Sequence, residues 1–157
     1  MTFQQTLNRD PARAVAGDFA STNPRNAMLA GEGSLRTAEP ITVGNFAFAD
    51  LDTGLVYAEH DTGRVVGFVH RNNQAIVPLG QSASMVVPTG RETALFTNGD
   101  FYCVLDDDVT VGDAITADAT DGTPSVTAAG AGFIATGFVA AENRDKGDLV
   151  KITKHSI

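Results

Sequence analysis

Residues 84–105, SMVVPTGRETALFTNGDFYCVL, limit the folds open to this chain more than any other stretch. Met85, Val87, Ala94, Phe96, Phe101, Cys103 and Leu105 form an apolar set with polar residues between many of them. That near-alternation has the period of a strand with one buried face. Pro88-Thr89-Gly90 and Thr97-Asn98-Gly99-Asp100 carry turn chemistry, and Gly90 and Gly99 stand where a turn needs positive φ. The stretch predicts three short strands joined by two tight turns. It holds no catalytic signature, so the first reading is a small β-rich structural or binding domain.

The rest of the chain agrees with that reading. With 157 residues, 43% of them hydrophobic, it can bury one real core without needing a second domain. Gly, Ala, Thr and Val are abundant, a mixture that favours short strands and many turns over helices. Residues 41–50 place Phe46 and Phe48 on one strand face. Further strands are expected at 55–58, 65–70, 75–79, 109–118, 125–129, 132–140 and 149–152, with turns such as Asp61-Thr62-Gly63 and Asp121-Gly122-Thr123-Pro124 between them. Thr42-Val43-Gly44-Asn45 is echoed by Thr110-Val111-Gly112-Asp113 about 68 residues on, and Gly67-Phe68-Val69 by Gly137-Phe138-Val139 about 70 on. Two matches at nearly one spacing predict two related β-units paired into one barrel or sandwich, which hides edges neither could hide alone.

Residues 1–38 differ. Pro11, Gly17, Pro24, Gly31 and Gly33 punctuate them, and no long period runs through. Ala27-Met28-Leu29-Ala30 predicts one helical turn, capped by Asn23 or Asn26. Phe3, Leu7, Val15, Phe19, Met28 and Leu29 make the segment too apolar for a solvated tail, so an extended arm that orders against a partner is expected. Charge divides the same way. The arm holds four arginines against three acids, and residues 39–157 hold seven basic against sixteen acidic residues, within a total of −8. An acidic body repels phosphate backbones, so no nucleic-acid partner is expected.

The chemistry-bearing residues give an enzyme little to use. Cys103 is alone, which excludes an internal disulfide, and its apolar neighbours predict an inert buried thiol. His60 and His70 read as solvent-facing strand ends, and a metal site there would need a third converging ligand, for which Glu59 or Asp61 is the best on offer. Asp106-Asp107-Asp108 lacks the alternating oxygens and distal Glu of a calcium loop, so it reads as a solvated turn. Nucleophile elbow, P-loop and dinucleotide glycine spacings are all missing. No catalytic residue, metal or cofactor is expected. Met1-Thr2-Phe3-Gln4-Gln5 has no secretory pattern, and the nearly apolar residues 128–141 are Gly-rich and too short to span a bilayer. A soluble product of a reducing cytoplasm, with no membrane partner, is expected.

At Ala14-Val15-Ala16-Gly17-Asp18-Phe19-Ala20-Ser21-Thr22-Asn23-Pro24-Arg25 the chain resembles the structural cement, or capsid decoration, proteins of tailed bacteriophages. Residues 41–47, 67–75 and 84–101 carry the same resemblance, which spans about residue 14 to the C-terminus and is weakest in the last third. It implies an all-β fold, a small barrel or sandwich-like body (β-tulip or jelly-roll-like) over 39–157, with an extended N-terminal arm over 1–38. It implies a virion protein made in the bacterial host cytoplasm, seated on the outer capsid face, bridging capsomers and stabilising the shell. The implied partners are the major capsid protein and further copies of the chain, a trimer being favoured over a dimer. It implies no enzymatic activity and no cofactor. The arm residues expected to grip are Arg13, Phe19, Asn23, Pro24, Arg25, Met28 and Leu29. A second reading is another virion-surface or host-glycan binding module using loops at 71–74 and 106–108. Glycan sites favour exposed aromatics, and this chain has no Trp and two Tyr.

Overall fold

The structure, a computed structural model, describes residues 13–31, 33–71, 85–130 and 132–155. Among them are strands and no helix. Three two-residue strands come first: β1 (Asn26–Ala27), β2 (Arg36–Thr37) and β3 (Ile41–Thr42). A first unit follows, made of β4 (Phe46–Asp50), β5 (Leu55–Tyr57) and β6 (Val65–Val69). Then come β7 (Val86–Val87) and the long β8 (Leu95–Val104). A second unit closes the chain: β9 (Ala114–Asp118), β10 (Pro124–Ser125), β11 (Phe133–Ala140) and β12 (Leu149–Lys154).

The main sheet runs β10-β9-β11-β12-β8-β6-β4-β5-β2, with β1 added to β8 and a separate β3-β7 pair. Read outward from the β12–β8 contact, β12-β11-β9-β10 on one side mirrors β8-β6-β4-β5 on the other. The path has two ends, so the sheet does not close into a barrel. It folds over instead, and the halves share a core in which Phe46, Phe48 and Phe68 meet Ile115, Phe138 and Ile152. The fold is all-β and sandwich-like.

The sequence echo is real at the level of hydrogen bonds. Gly44 N–H donates to Val69 O at 3.0 Å and Val69 N–H to Asn45 O at 2.9 Å. In the second unit Gly112 N–H donates to Ala140 O and Ala140 N–H to Asp113 O, each at 2.9 Å. Both turns use a left-handed glycine, with φ 86° at Gly44 and 94° at Gly112. The bonds align Val69 with Ala140, one residue later than the Gly-Phe-Val letters suggest. Two extra residues, Thr136 and Gly137, form a bulge in β11 between Ala135 and Phe138, where Gly137 has φ 78°. Thr136 Oγ1 fills the gap, accepting from Phe138 N–H at 3.1 Å and donating to Ile115 O. In this register Phe46, Phe48 and Phe68 of the first unit correspond to Ala114, Thr116 and Val139 of the second.

Residues 46–49 of β4 are buried on both faces. Phe46 and Phe48 point into the shared core, while Ala47 and Ala49 sit in a second cluster with Leu35, Ile41, Val56 and Val69. Met28 and Val87 close that second face. The first unit is therefore the middle layer, covered outside by residues that precede it and by the β3-β7 pair.

Two local expectations change. No turn forms at residues 97–100; β8 continues through them. Gly99 has φ 131°, yet the strand continues because Leu95 and Phe96 pair with Val69 and Phe68 while Gly99 to Val104 pair with β12. The Asn-Gly chemistry bends a long strand from one half to the other. The helical turn at 27–30 is absent as well. Asn26 and Ala27 pair with β8 and Met28 N–H donates to Leu95 O at 2.8 Å, so sheet pairing overrides a short local preference. The turn at Pro88-Thr89-Gly90 forms as expected, with Gly90 at φ 78°. The strand expected at 75–79 lies outside the described residues.

Gly122 marks the tightest seam between the units. Its carbonyl accepts from Phe46 N–H at 2.8 Å, and a Cβ built on it would stand 1.9 Å from Phe46 O at φ +72°. Gly122→Ala is expected to destabilise the fold by about 3 kcal/mol or more. Gly90→Ala, at φ +78° with nothing within 4 Å, should cost about 1 kcal/mol. Urea denaturation of both variants checks the difference, and a Gly122→Ala chain as stable as Gly90→Ala would contradict it.

Candidate functional site

The candidate site is the ledge that residues 13–31 build along β8. The segment runs antiparallel to that strand: Gly17 N–H donates to Tyr102 O, Tyr102 N–H to Asp18 O, and Ala20 N–H to Asp100 O, at 2.7 to 3.0 Å. Phe19 bridges Phe101, and β1 continues the pairing with Asn98 and Phe96. Small residues let the segment lie this close. A Cβ on Gly17 would fall 2.5 Å from Val43 Cγ1, and one on Gly44 would fall 2.7 Å from Ala16 Cβ. Gly17 O also accepts from Arg71 N–H at 2.9 Å.

Side chains fasten the ledge at three places. First, Phe19 lies between Arg25, whose Cζ is 3.8 Å from the ring centre, and the His70 imidazole, stacked at 3.9 Å. Its edges meet Phe96 and Phe101 at 5.6 Å, and aromatic pairs like these contribute roughly 0.5–1.5 kcal/mol each beyond burial. Second, the Asp100 carboxylate receives Ser21 Oγ–H and Asn23 Nδ2–H from the ledge and Thr153 Oγ1–H from β12, and His155 Nε2 lies 2.9 Å away. Burial opposes ionisation of Asp100, but these hydrogen bonds, from Ser21, Thr153 and Asn23, and the nearby His155 outweigh it and hold the carboxyl below its usual range. Third, two ion pairs tie the segment to the two units. Asp18 Oδ1 meets Arg71 Nε at 2.8 Å, and Arg13 Nη2 grips the Glu142 carboxylate while its guanidinium lies 5.6 Å from the Tyr102 ring. Arg71 and Glu142 each stand two residues past the strand-closing positions Val69 and Ala140, so they are counterparts with opposite charge. As partly exposed pairs they contribute at most about 1 kcal/mol each.

The seven expected arm residues fall into two groups. Arg13, Phe19 and Met28 face the body: Arg13 on Glu142, Phe19 in the aromatic stack, Met28 over Gly67, where a Cβ would approach its Cε to 2.7 Å. Asn23, Pro24, Arg25 and Leu29 are exposed, although Asn23 holds Asp100 and Arg25 covers Phe19. Leu29 is 87% exposed, the most open of the large apolar side chains described. Asp100 and Glu142 were not expected as anchors. Nothing local distinguishes Asp100 in an acidic chain, and Glu142 stands as the counterpart of Arg71 only in the hydrogen-bonded register, which the bulge conceals in the sequence. The two early histidines depart from the solvent-facing expectation, because His70 stacks on Phe19 and His60 packs edge-on against Phe48 at 5.1 Å. Cys103 is buried and desolvation pushes its thiol far up, as an inert thiol requires. Among the described residues no group of three His, Cys, Asp or Glu is placed to hold a metal ion, and no helix is long and apolar enough to cross a membrane.

A family model described as the XM1 gp53 minor capsid protein matches residues 3–154. The chain belongs to that family. The fold agrees: a chain in the solved capsid of Myoviridae phage XM1 is 14% identical and superposes with a TM-score of 0.64, over 98% of this chain and 97% of that one. The head fiber gp8.5 N base of bacteriophage phi29 is a looser likeness, 17% identical at TM-score 0.42 over 84% of this chain and 95% of that one, and carries no weight here. No curated protein matches. As a minor capsid protein of a phage, the chain presents its ledge on an otherwise acidic body.

The fastenings predict how the ledge responds to mutation and acid. Phe19→Ala should destabilise the protein by about 2 kcal/mol, less than a fully buried Phe because the ring is partly exposed. Burial holds His70 below its ordinary value, with Arg25 and Arg71 acting the same way and Asp18 opposing them. The unfolded imidazole therefore protonates first, so stability is lost as pH falls from about 6.5 through the folded value. For Asp100, also lowered, the contribution persists above pH 3.8 and is lost below, as pH falls through its folded value. Melting curves from pH 7 to 5 should drop more for the wild type than for His70→Gln; equal slopes would remove His70 from the account.

Proposed function

We propose that this minor capsid protein is a cement, or decoration, protein that binds the outer face of the assembled shell through its 13–31 ledge and bridges neighbouring capsomers. The observation that carries this reading is Leu29, 87% exposed on a segment otherwise fastened to the body at every turn. A solvent-facing leucine just after β1, on the same segment as exposed Pro24 and Arg25, gives a partner an apolar contact on backbone already ordered against the body. Pre-ordering lowers the entropy lost on binding. The acidic body supports solubility until a capsid offers many sites at once, when avidity multiplies weak single contacts. The reading includes synthesis in the host cytoplasm, no catalytic step, the major capsid protein as partner, and self-association as a homo-oligomer, a trimer rather than a dimer.

The test is co-sedimentation of purified protein with matching undecorated, expanded capsids, together with the thermal resistance of the resulting particles. Binding with a raised disruption temperature is expected, and absence of binding would sink the proposal. Leu29→Asp should leave the melting temperature of the free protein unchanged and reduce capsid binding at least tenfold. Solution mass measurement separates a trimer from a dimer or monomer.

A further inference from the structure

The two related turns differ in what lies on them. In the first unit the ledge residues Ala16 and Gly17 press onto Val43 and Gly44, and Val43 is buried to 5% exposure. In the second unit the same backbone turn leaves Val111 63% exposed, and nothing among the described residues lies within 4 Å of a Cβ built on Gly112. The surrounding hydrogen bonds differ in the same sense. Arg71 N–H finds Gly17 O, whereas the N–H of its counterpart Glu142 has no partner among the described residues. Beside the second turn is a hollow of about 300 Å³ lined by Asp108, Thr110, Asn143, Arg144, Asp145 and Asp148 together with Val109. Three carboxylates against one guanidinium give it a net negative field.

We infer that the turn over residues 110–113 and the hollow beside it form a second strand-docking notch, which takes an extended segment of another protein of the phage shell. The occupied first notch defines what fits: an extended backbone with a glycine or alanine where it crosses Val111 and Gly112, and a carbonyl aimed at Glu142 N–H. Charge defines the rest, because the hollow favours a lysine or arginine on that segment. A second copy of this chain has its own Ala16-Gly17 segment already seated on its first notch, and its remaining body is acidic. The inference rests on the capsid-binding reading above and adds a contact distinct from Leu29.

Two measurements on the full chain test it. The first is apparent affinity of Val111→Asp for matching undecorated capsids; the substitution is in an exposed turn, and an unchanged melting temperature establishes that the variant is folded. A drop of tenfold or more is expected, and binding equal to wild type overturns the inference while leaving the Leu29 contact standing. If wild-type protein does not bind capsids at all, the capsid reading and this inference fall together. The second places a photo-crosslinking side chain at Val111 in assembled particles. Adducts to a different shell protein support the notch. Adducts only to residues 1–12 of the same chain, adducts only to a second copy, or no adduct overturn it.

Discussion

The backbone ladder of β8 is the interaction on which the rest of the molecule depends. Leu95 and Phe96 pair with the first unit, Gly99 to Val104 pair with the last strand of the second, and residues 17–28 lie along the same strand. One strand thus satisfies the hydrogen bonds of two half-sheets and of the segment that covers them. Its ability to do so rests on Gly99, whose φ of 131° bends the strand without ending it. A strand that turned back at Asn98-Gly99, as hairpin chemistry would have it, could not reach both halves.

Much of this was legible in the sequence, and the failures have physical causes. The all-β class, most strand positions and the two-unit body follow from alternation, turn residues and the echoed tetrapeptides. The role of Asn98-Gly99 was not legible, because the same dipeptide serves a hairpin and a bend and only long-range pairing chooses between them. The two-residue bulge at Thr136-Gly137 leaves the hydrogen-bonded register one residue out of step with the Gly-Phe-Val letters, which hid the correspondence of Arg71 with Glu142. Residues 27–30 read as a helical turn because helix preference is local, while the Leu95 carbonyl that claims Met28 N–H is far away in sequence. For the candidate site, Pro24, Arg25 and Leu29 are exposed. The inward aim of Phe19 and Met28 does not follow from composition, since an apolar residue in an aperiodic segment gives no sign of which surface it covers.

Under the proposed function, the ledge would tie attachment to fold. Phe19 packs against the shared core and Met28 closes the second cluster, while the next residue, Leu29, faces solvent. A partner bound there would pull on core packing and on the Asp100 hydrogen bonds, not on a loose tether. Acid weakens two of the fastenings through opposite chemistry: a carboxylate that loses its charge and an imidazole that gains one.

The correspondence of Phe46, Phe48 and Phe68 with Ala114, Thr116 and Val139 bears on why no third unit stacks beyond the second. The second unit lies on the aromatic face of the first, and register gives the second unit an equivalent outward face. Were that face also built of three phenylalanines, a further layer from another molecule could add to it, and a head-to-tail repeat with no closing symmetry grows into fibres. Smaller side chains, and a Thr116 hydroxyl tied to the Ser125 and Thr127 carbonyls, leave the outward face little to offer such a layer. A duplicated unit becomes a finite molecule by shrinking the surface that its first copy uses for assembly.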